Sequence, residues 1–227
     1  MRPRDPRRWR RRRRRALVEL HESESSREPD GGFSSWQVAE LSVRRKEIEP
    51  LWGPEHLERL ARTYWVYLNR TSLGLLRVVY GPGTRKIVVL DPRIVLLAFR
   101  APEYELAPTR GTVTWQIDRG LLVAAPGRRR GFLRLTVERP DGVAAAVTGD
   151  GTELVRVQVT SEVRSFFPLL AGWGRFTRLG AAVYRATQLR VHELITTGFL
   201  RSLARLELAP SAVGALEAPR LSPPVPR

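Results

Sequence analysis

The chain has 227 residues and a formal net charge of +16, with 42% hydrophobic, 8% aromatic and 27% charged residues and no cysteine. The apolar fraction excludes a wholly disordered chain. The missing cysteines exclude disulfides, thiolate nucleophiles, iron–sulfur clusters and cysteine zinc sites.

The charge is concentrated at one end. Residues 1–15 hold ten arginines against one acid, Asp5, a surplus of +9, and the rest of the chain carries 29 basic and 22 acidic side chains, a surplus of +7. Arg10, Arg11, Arg12, Arg13, Arg14 and Arg15 form an unbroken basic run. Such a run binds phosphates without reading sequence, because each neutralised phosphate releases a counterion. It is the candidate contact for nucleic acid or an anionic membrane surface, although a like-charge block is commonly only a solvated tail. No apolar stretch of about 7–15 residues follows it, so it does not read as a secretion signal, and a cytoplasmic location is expected. The longest apolar runs, such as Ile94 to Phe99, fall far short of the roughly 18–20 residues of a membrane span.

Three regions are expected: a basic disordered tail and linker over 1–32, a single α+β domain over 33–208, and a Pro-rich disordered tail over 209–227. The linker ends in the polar run HESESSREPDGG at 21–32. Phe33 to Trp36 and Val38 to Val43 are expected to dock on the domain as a weak strand or helix. The first strong helix begins at Pro54, with Glu55 in its first turn. Leu57, Leu60, Ala61, Tyr64, Trp65 and Leu68 recur at spacings of three and four, which makes one apolar face. Asn69 and Gly74 mark its end.

From Leu75 to Val163 the period changes to two. Leu75 to Tyr80 and Arg85 to Leu90 flank the turn Gly81-Pro82-Gly83. Arg93 to Arg100 reads as an apolar strand and Gly120 to Ala125 as a further one. Val113, Trp115 and Ile117, then Leu133, Leu135 and Val137, then Val155, Val157 and Val159 each alternate with polar residues. Alternation of this kind buries one face of a strand. Short connections between successive strands imply an antiparallel meander. From Arg175 to Leu206 a helical stripe returns, running from Phe176 through Tyr184 to Leu203 and interrupted at Gly198. A helix of about 30 residues runs about 45 Å and needs a long surface to cover it.

A helix, a set of antiparallel strands and a long amphipathic C-terminal helix follow one another here. This order resembles the helix-grip arrangement of the START-like, polyketide-cyclase-like superfamily. The strand Thr112-Val-Thr-Trp-Gln-Ile-Asp and the segment from Val183-Tyr-Arg-Ala-Thr-Gln to Phe199-Leu-Arg-Ser-Leu carry the resemblance. It implies a curved antiparallel sheet packed on the long last helix, with an apolar cavity between them. The superfamily has no universal motif, so no catalytic residue is carried over. The strand expected before the first helix is supplied only by Trp36 to Val43, and one longer helix replaces the usual short pair.

Most familiar chemistries are absent. His192-Glu-Leu-Ile-Thr196 lacks the second histidine of a zinc-protease helix. Gly81-Pro-Gly-Thr-Arg-Lys lacks the length and ending of a phosphate loop. Gly172-Trp-Gly is too loose for a dinucleotide fingerprint, and Gly149-Asp-Gly reads as a turn. Neither a metal nor a cofactor is expected. Glu103 and Glu105 point the same way if extended, which suits either acid–base work or a solvated edge. Arg128, Arg129 and Arg130 form a basic turn with no aromatic platform beside it. Arg100, Trp115 and Tyr184 are the candidate cavity residues, since a pocket combines apolar walls with few polar groups. The expected function is binding of an apolar small molecule or lipid in the sheet–helix cavity, without catalysis. The alternatives are nucleic-acid or anionic-surface binding through the arginine tail, and a cyclase- or hydratase-type enzyme using the same cavity.

Overall fold

The computed structural model describes residues 15–21, 23–30, 32–81, 83–139, 144–147, 151–167 and 193–211. Its frame is a pair of long antiparallel strands. β3 (Phe33–Arg44) and β11 (Glu153–Phe166) pair from Leu154 opposite Arg44 to Val163 opposite Ser35. Ala39, Leu41 and Val43 face inward on β3, and Val155, Val157 and Val159 do so on β11, all buried. The segment expected to dock as a weak element is therefore a twelve-residue interior strand.

Eleven strands among the described residues form one antiparallel α+β sheet. The rest are β1 (Ala16–Leu20), β2 (Glu24–Arg27), β4 (Leu76–Gly81), β5 (Thr84–Val89), β6 (Asp91–Arg100), β7 (Glu103–Leu106), β8 (Arg110–Arg119), β9 (Phe132–Glu138) and β10 (Ala144–Val147). The order is β1-β3-β11-β9-β8-β6-β5-β4, with β2, β7 and β10 added beside β3, β8 and β11. On β8 Val113, Trp115 and Ile117 are buried as predicted, but Thr112 and Thr114 on the opposite face are buried as well, so the expected wet face is covered there.

Two expectations are corrected along this path. The linker expected over 16–32 supplies β1 and β2, both paired with β3, and Ala16 is buried. Arg15 donates its backbone N–H to Ala204 O at 2.8 Å, so the sheet begins directly after the basic run. The strand expected over Gly120 to Ala125 is instead a turn leading into the 3-10 helix Ala125–Gly127. A Cβ on Gly120 would lie 2.1 Å from Leu96 O, so only glycine lets this turn close against β6.

Two helices cover the inner face. The four-residue α1 (Arg45–Ile48) leads through a 3-10 turn to α2 (Pro54–Thr71). Pro54 opens α2 where a missing N–H costs nothing. Its predicted stripe is buried in full, and Glu58 is buried with it. The C-terminal helix, expected to run nearly continuously from Arg175 to Leu206, is described as α3 over 193–202 and a 3-10 turn Leu203–Arg205. Leu206 ends it in the left-handed region, φ 53°. Positions 175–192, including Tyr184 and His192, lie outside the described residues.

The two helices touch at a glycine. A Cβ on Gly198 would lie 2.0 Å from the Tyr67 hydroxyl, so this interruption of the stripe marks the close approach of α3 to α2. Phe199 sits beside it with its ring edge-on to Tyr64, centroids 5.1 Å apart. Gln37 on β3 donates to Thr197 Oγ1 at 2.8 Å, which ties α3 to the sheet. One continuous core results, joining Val43, Leu60, Trp115, Val157, Phe199 and Leu203.

Candidate functional site

The helical face that buries Leu57, Ala61, Tyr64 and Trp65 also aims Glu58 and Arg62 toward the sheet, one turn apart. They meet Tyr80 from β4, Arg85 from β5, Pro102 and Tyr104 from β7 and its approach, and Trp115 from β8. Together with Ala61 and Trp65 these side chains line a shallow recess that opens to solvent and has room for about one water molecule.

The floor is aromatic. Trp115 is 1% exposed and Trp65 is 4% exposed, and their rings meet edge to face with centroids 5.0 Å apart. Phe99 adds a third ring at 5.6 Å from Trp65. Buried aromatic pairs in this geometry contribute about 0.5–1.5 kcal/mol beyond the area they bury.

The walls are charged. Glu58 is 3% exposed and Arg85 is 9% exposed. The Arg85 guanidinium lies 4.7 Å from the Tyr80 ring centroid and the Arg62 guanidinium lies 5.4 Å from it. Arg85 is already engaged, donating from one terminal nitrogen to Gly81 O at 3.2 Å and Thr84 O at 2.9 Å. Arg62 hydrogen-bonds the Tyr80 hydroxyl, but its buried Nε has no acceptor among the described residues. A buried donor left in this state loses the full cost of its desolvation, about 1–3 kcal/mol.

The phenols are held in their neutral form. Burial raises the Tyr80 pKa above the ordinary tyrosine value, against the positive charges of Arg62 and Arg85 that lower it. Burial raises Tyr104 further, reinforced by the Glu58 carboxylate. Both hydroxyls stay protonated at neutral pH, and that of Tyr80 accepts from Arg62. Neither is tuned as an acid–base group near pH 7. Two guanidiniums against one carboxylate leave one positive charge in the recess. The arrangement is suited to holding a small anion against an aromatic floor.

Sequence reasoning found Trp115 and missed the rest. Arg100 is exposed at the end of β6, opposite Thr84, and does not reach the recess. Tyr184 lies outside the described residues. Trp115 was expected to face the long C-terminal helix; its ring partner is Trp65 on α2. Glu103 and Glu105 are exposed on β7, with Tyr104 between them facing the recess. Arg128 to Arg130 form the expected exposed turn, where Arg129 pairs with Asp118 at 3.3 Å and Arg130 with Asp30 at 2.8 Å. Among the described residues no group of three His, Cys, Asp or Glu side chains stands where a metal could be held. The signal for the site was the Glu58–Arg62 pair at i, i+4, which flanks the apolar stripe of α2.

Arg10 to Arg14 lie outside the described residues. Arg15 belongs to the folded domain, where its Nε lies 3.4 Å from a Glu47 carboxylate oxygen. Some of the exposed positive charge of the sheet is paired among the described residues. Arg110 pairs with Glu138, Arg134 and Arg164 with Glu162, and Arg156 with Glu40. No helix among the described residues is long and apolar enough to cross a membrane. No protein-family model matches the chain, and no curated protein matches it in sequence.

Proposed function

We propose that this protein binds, without catalysis, a small molecule that carries an anionic group on an apolar body, in the recess between α2 and the sheet. The observation that carries the proposal is the idle Nε of Arg62, buried in a recess where two guanidiniums face one carboxylate. A carboxylate supplied by a ligand accepts from that nitrogen and balances the remaining charge. The apolar body then lies against Pro102 and Tyr104 at the mouth, above the buried tryptophans. Binding sites for drug-sized ligands span about 300–1,000 Å³. The recess has free room for about one water molecule, so it takes at most a carboxylate head, with the rest of the ligand outside in its open mouth. The helix-grip resemblance places its cavity against the last helix, whereas this recess lies against α2; the proposal sets the protein in the cytoplasm.

The test uses the tryptophans as reporters. Titration of the full chain with benzoate is expected to change Trp65 and Trp115 emission saturably, and benzamide is expected to bind about tenfold or more weaker. Equal binding of the two rejects the anionic site. Absence of any saturable change with benzoate or hexanoate rejects the ligand-binding reading altogether.

A second reading concerns the arginine run. Ten arginines in fifteen residues supply a basic segment that binds phosphate polymers or anionic surfaces.

A further inference from the structure

The sheet ends in an apolar tip. Among the described residues, Leu73 is 91% exposed, Leu90 65%, Leu121 54%, Leu75 51% and Ile94 41%. Antiparallel pairing brings Leu73, Leu75, Leu90 and Ile94 to the end where β4 and β6 begin and β5 finishes, and Leu121, just past β8, adjoins them at Val95. Leu90 N donates to Leu75 O at 3.2 Å, joining the two connections, and Leu121 N donates to Val95 O at 3.0 Å, beside Ile94. Single exposed leucines are ordinary; five converging on one rim are not.

Two features separate this tip from an accidental patch. Leu73 and Leu90 are both held in the left-handed region, φ 53° and 54°, a conformation that disfavours leucine and suits glycine or asparagine. These turns keep a large apolar side chain at positions where the backbone itself favours another residue. Arg70, Arg77, Arg93 and Arg119 are exposed around the tip, against Asp91 and the half-buried Asp118. Asp91 already accepts from Arg93 N at 2.7 Å, and Asp118 faces Arg119 at 3.8 Å. The rim thus keeps a positive surplus. Leucines at loop tips inside a ring of arginines complement an anionic bilayer: the side chains enter the acyl boundary while the guanidiniums meet lipid phosphates.

We propose that this end of the sheet docks on an anionic membrane surface, with Leu73 and Leu90 as the inserted residues. The arginine run at 1–15 supplies a second electrostatic signal, and peripheral binding becomes stable when two signals act together.

The test is co-sedimentation of the full chain with phosphatidylcholine vesicles, with and without about one-third phosphatidylserine. The wild type is expected to bind only the anionic vesicles. The double variant Leu73→Asn, Leu90→Asn suits both left-handed turns, so its melting temperature is expected to equal or exceed that of the wild type. Its partition to anionic vesicles is expected to fall about tenfold or more, since two buried leucines are lost. Its binding to mixed-sequence DNA is expected to stay unchanged. Leu121→Ser, on the far side of the tip, is expected to weaken vesicle binding in the same direction. Wild-type partition by the double variant overturns the proposal, as does failure of the wild type to bind anionic vesicles. A parallel loss of DNA binding also overturns it, because it assigns the tip to a polyanion in solution.

Discussion

The indole rings of Trp65 and Trp115 meet edge to face, 5.0 Å between centroids, one from α2 and one from β8. The contact joins helix to sheet and also forms the floor of the recess. Both rings are core residues that close the recess from below. Trp115→Ala is expected to cost about 3–5 kcal/mol, because the surrounding rings cannot collapse into the space of a buried indole. Chemical denaturation measures this directly. A loss below about 1 kcal/mol is what a mere exposed wall predicts and contradicts the packing described here.

Gly198 sets the spacing of α3 from α2. Gly198→Ala gains about 1 kcal/mol of helix propensity but drives a methyl group into the Tyr67 hydroxyl, whose displacement costs about 1–3 kcal/mol. The substitution is expected to destabilise the wild type and to be tolerated, or stabilising, alongside Tyr67→Ala. A double-mutant cycle reads the coupling. Additive effects of the two substitutions contradict the contact.

The architecture was legible where residues obey one period. Val113, Trp115 and Ile117 on β8, and Leu57 to Leu68 on α2, declared their buried faces without help. Ala16 to Leu20 did not, because five residues between an arginine run and a polar stretch carry no pattern of their own; their strand exists only because β3 pairs with them. Gly120 to Ala125 looked like a strand from its apolar content, and the backbone contact with Leu96 O overrules it. The recess was missed for a related reason. Periodicity assigns Glu58 and Arg62 to the solvent side, and it holds no information about Tyr80 and Arg85, which come from separate strands to meet them. Trp115 was recognised as inward-facing, but its partner came from α2, a helix the C-terminal stripe had overshadowed.

Alkaline pH is expected to unfold the protein through its buried phenols. Burial pushes Tyr64 up to about 12, although a hydrogen bond with Thr196 lowers it in part. Burial raises Tyr80 and Tyr104 in the same direction. A phenol held above its unfolded value of about 10 contributes stability that is fully present below that pH. The contribution is lost as pH rises toward about 12 for Tyr64. Phenolate absorbance and helix content followed together should change in one cooperative transition above the normal tyrosine range. Early titration of all five tyrosines with the fold intact contradicts the burial of these rings.

Removal of residues 1–14 is expected to abolish most binding to mixed-sequence DNA while leaving Arg15 to hold β1 in place. Affinity of the full chain should fall by orders of magnitude between about 50 and 200 mM salt, as counterion release requires for several phosphate contacts. Equal binding by the shortened chain assigns the effect to the folded domain, where Arg128 is the member of the basic turn with no ion pair shown.

The most direct measurement is the benzoate dissociation constant of the wild type against Arg62→Met, determined calorimetrically on the full chain. Methionine keeps the apolar stem of the arginine and removes the guanidinium, so the fold is expected to persist with an unchanged melting temperature. The account predicts benzoate binding weakened about tenfold or more in the variant, since a hydrogen bond to a charged group contributes about 1.5–3 kcal/mol. An identical dissociation constant in the two proteins contradicts it.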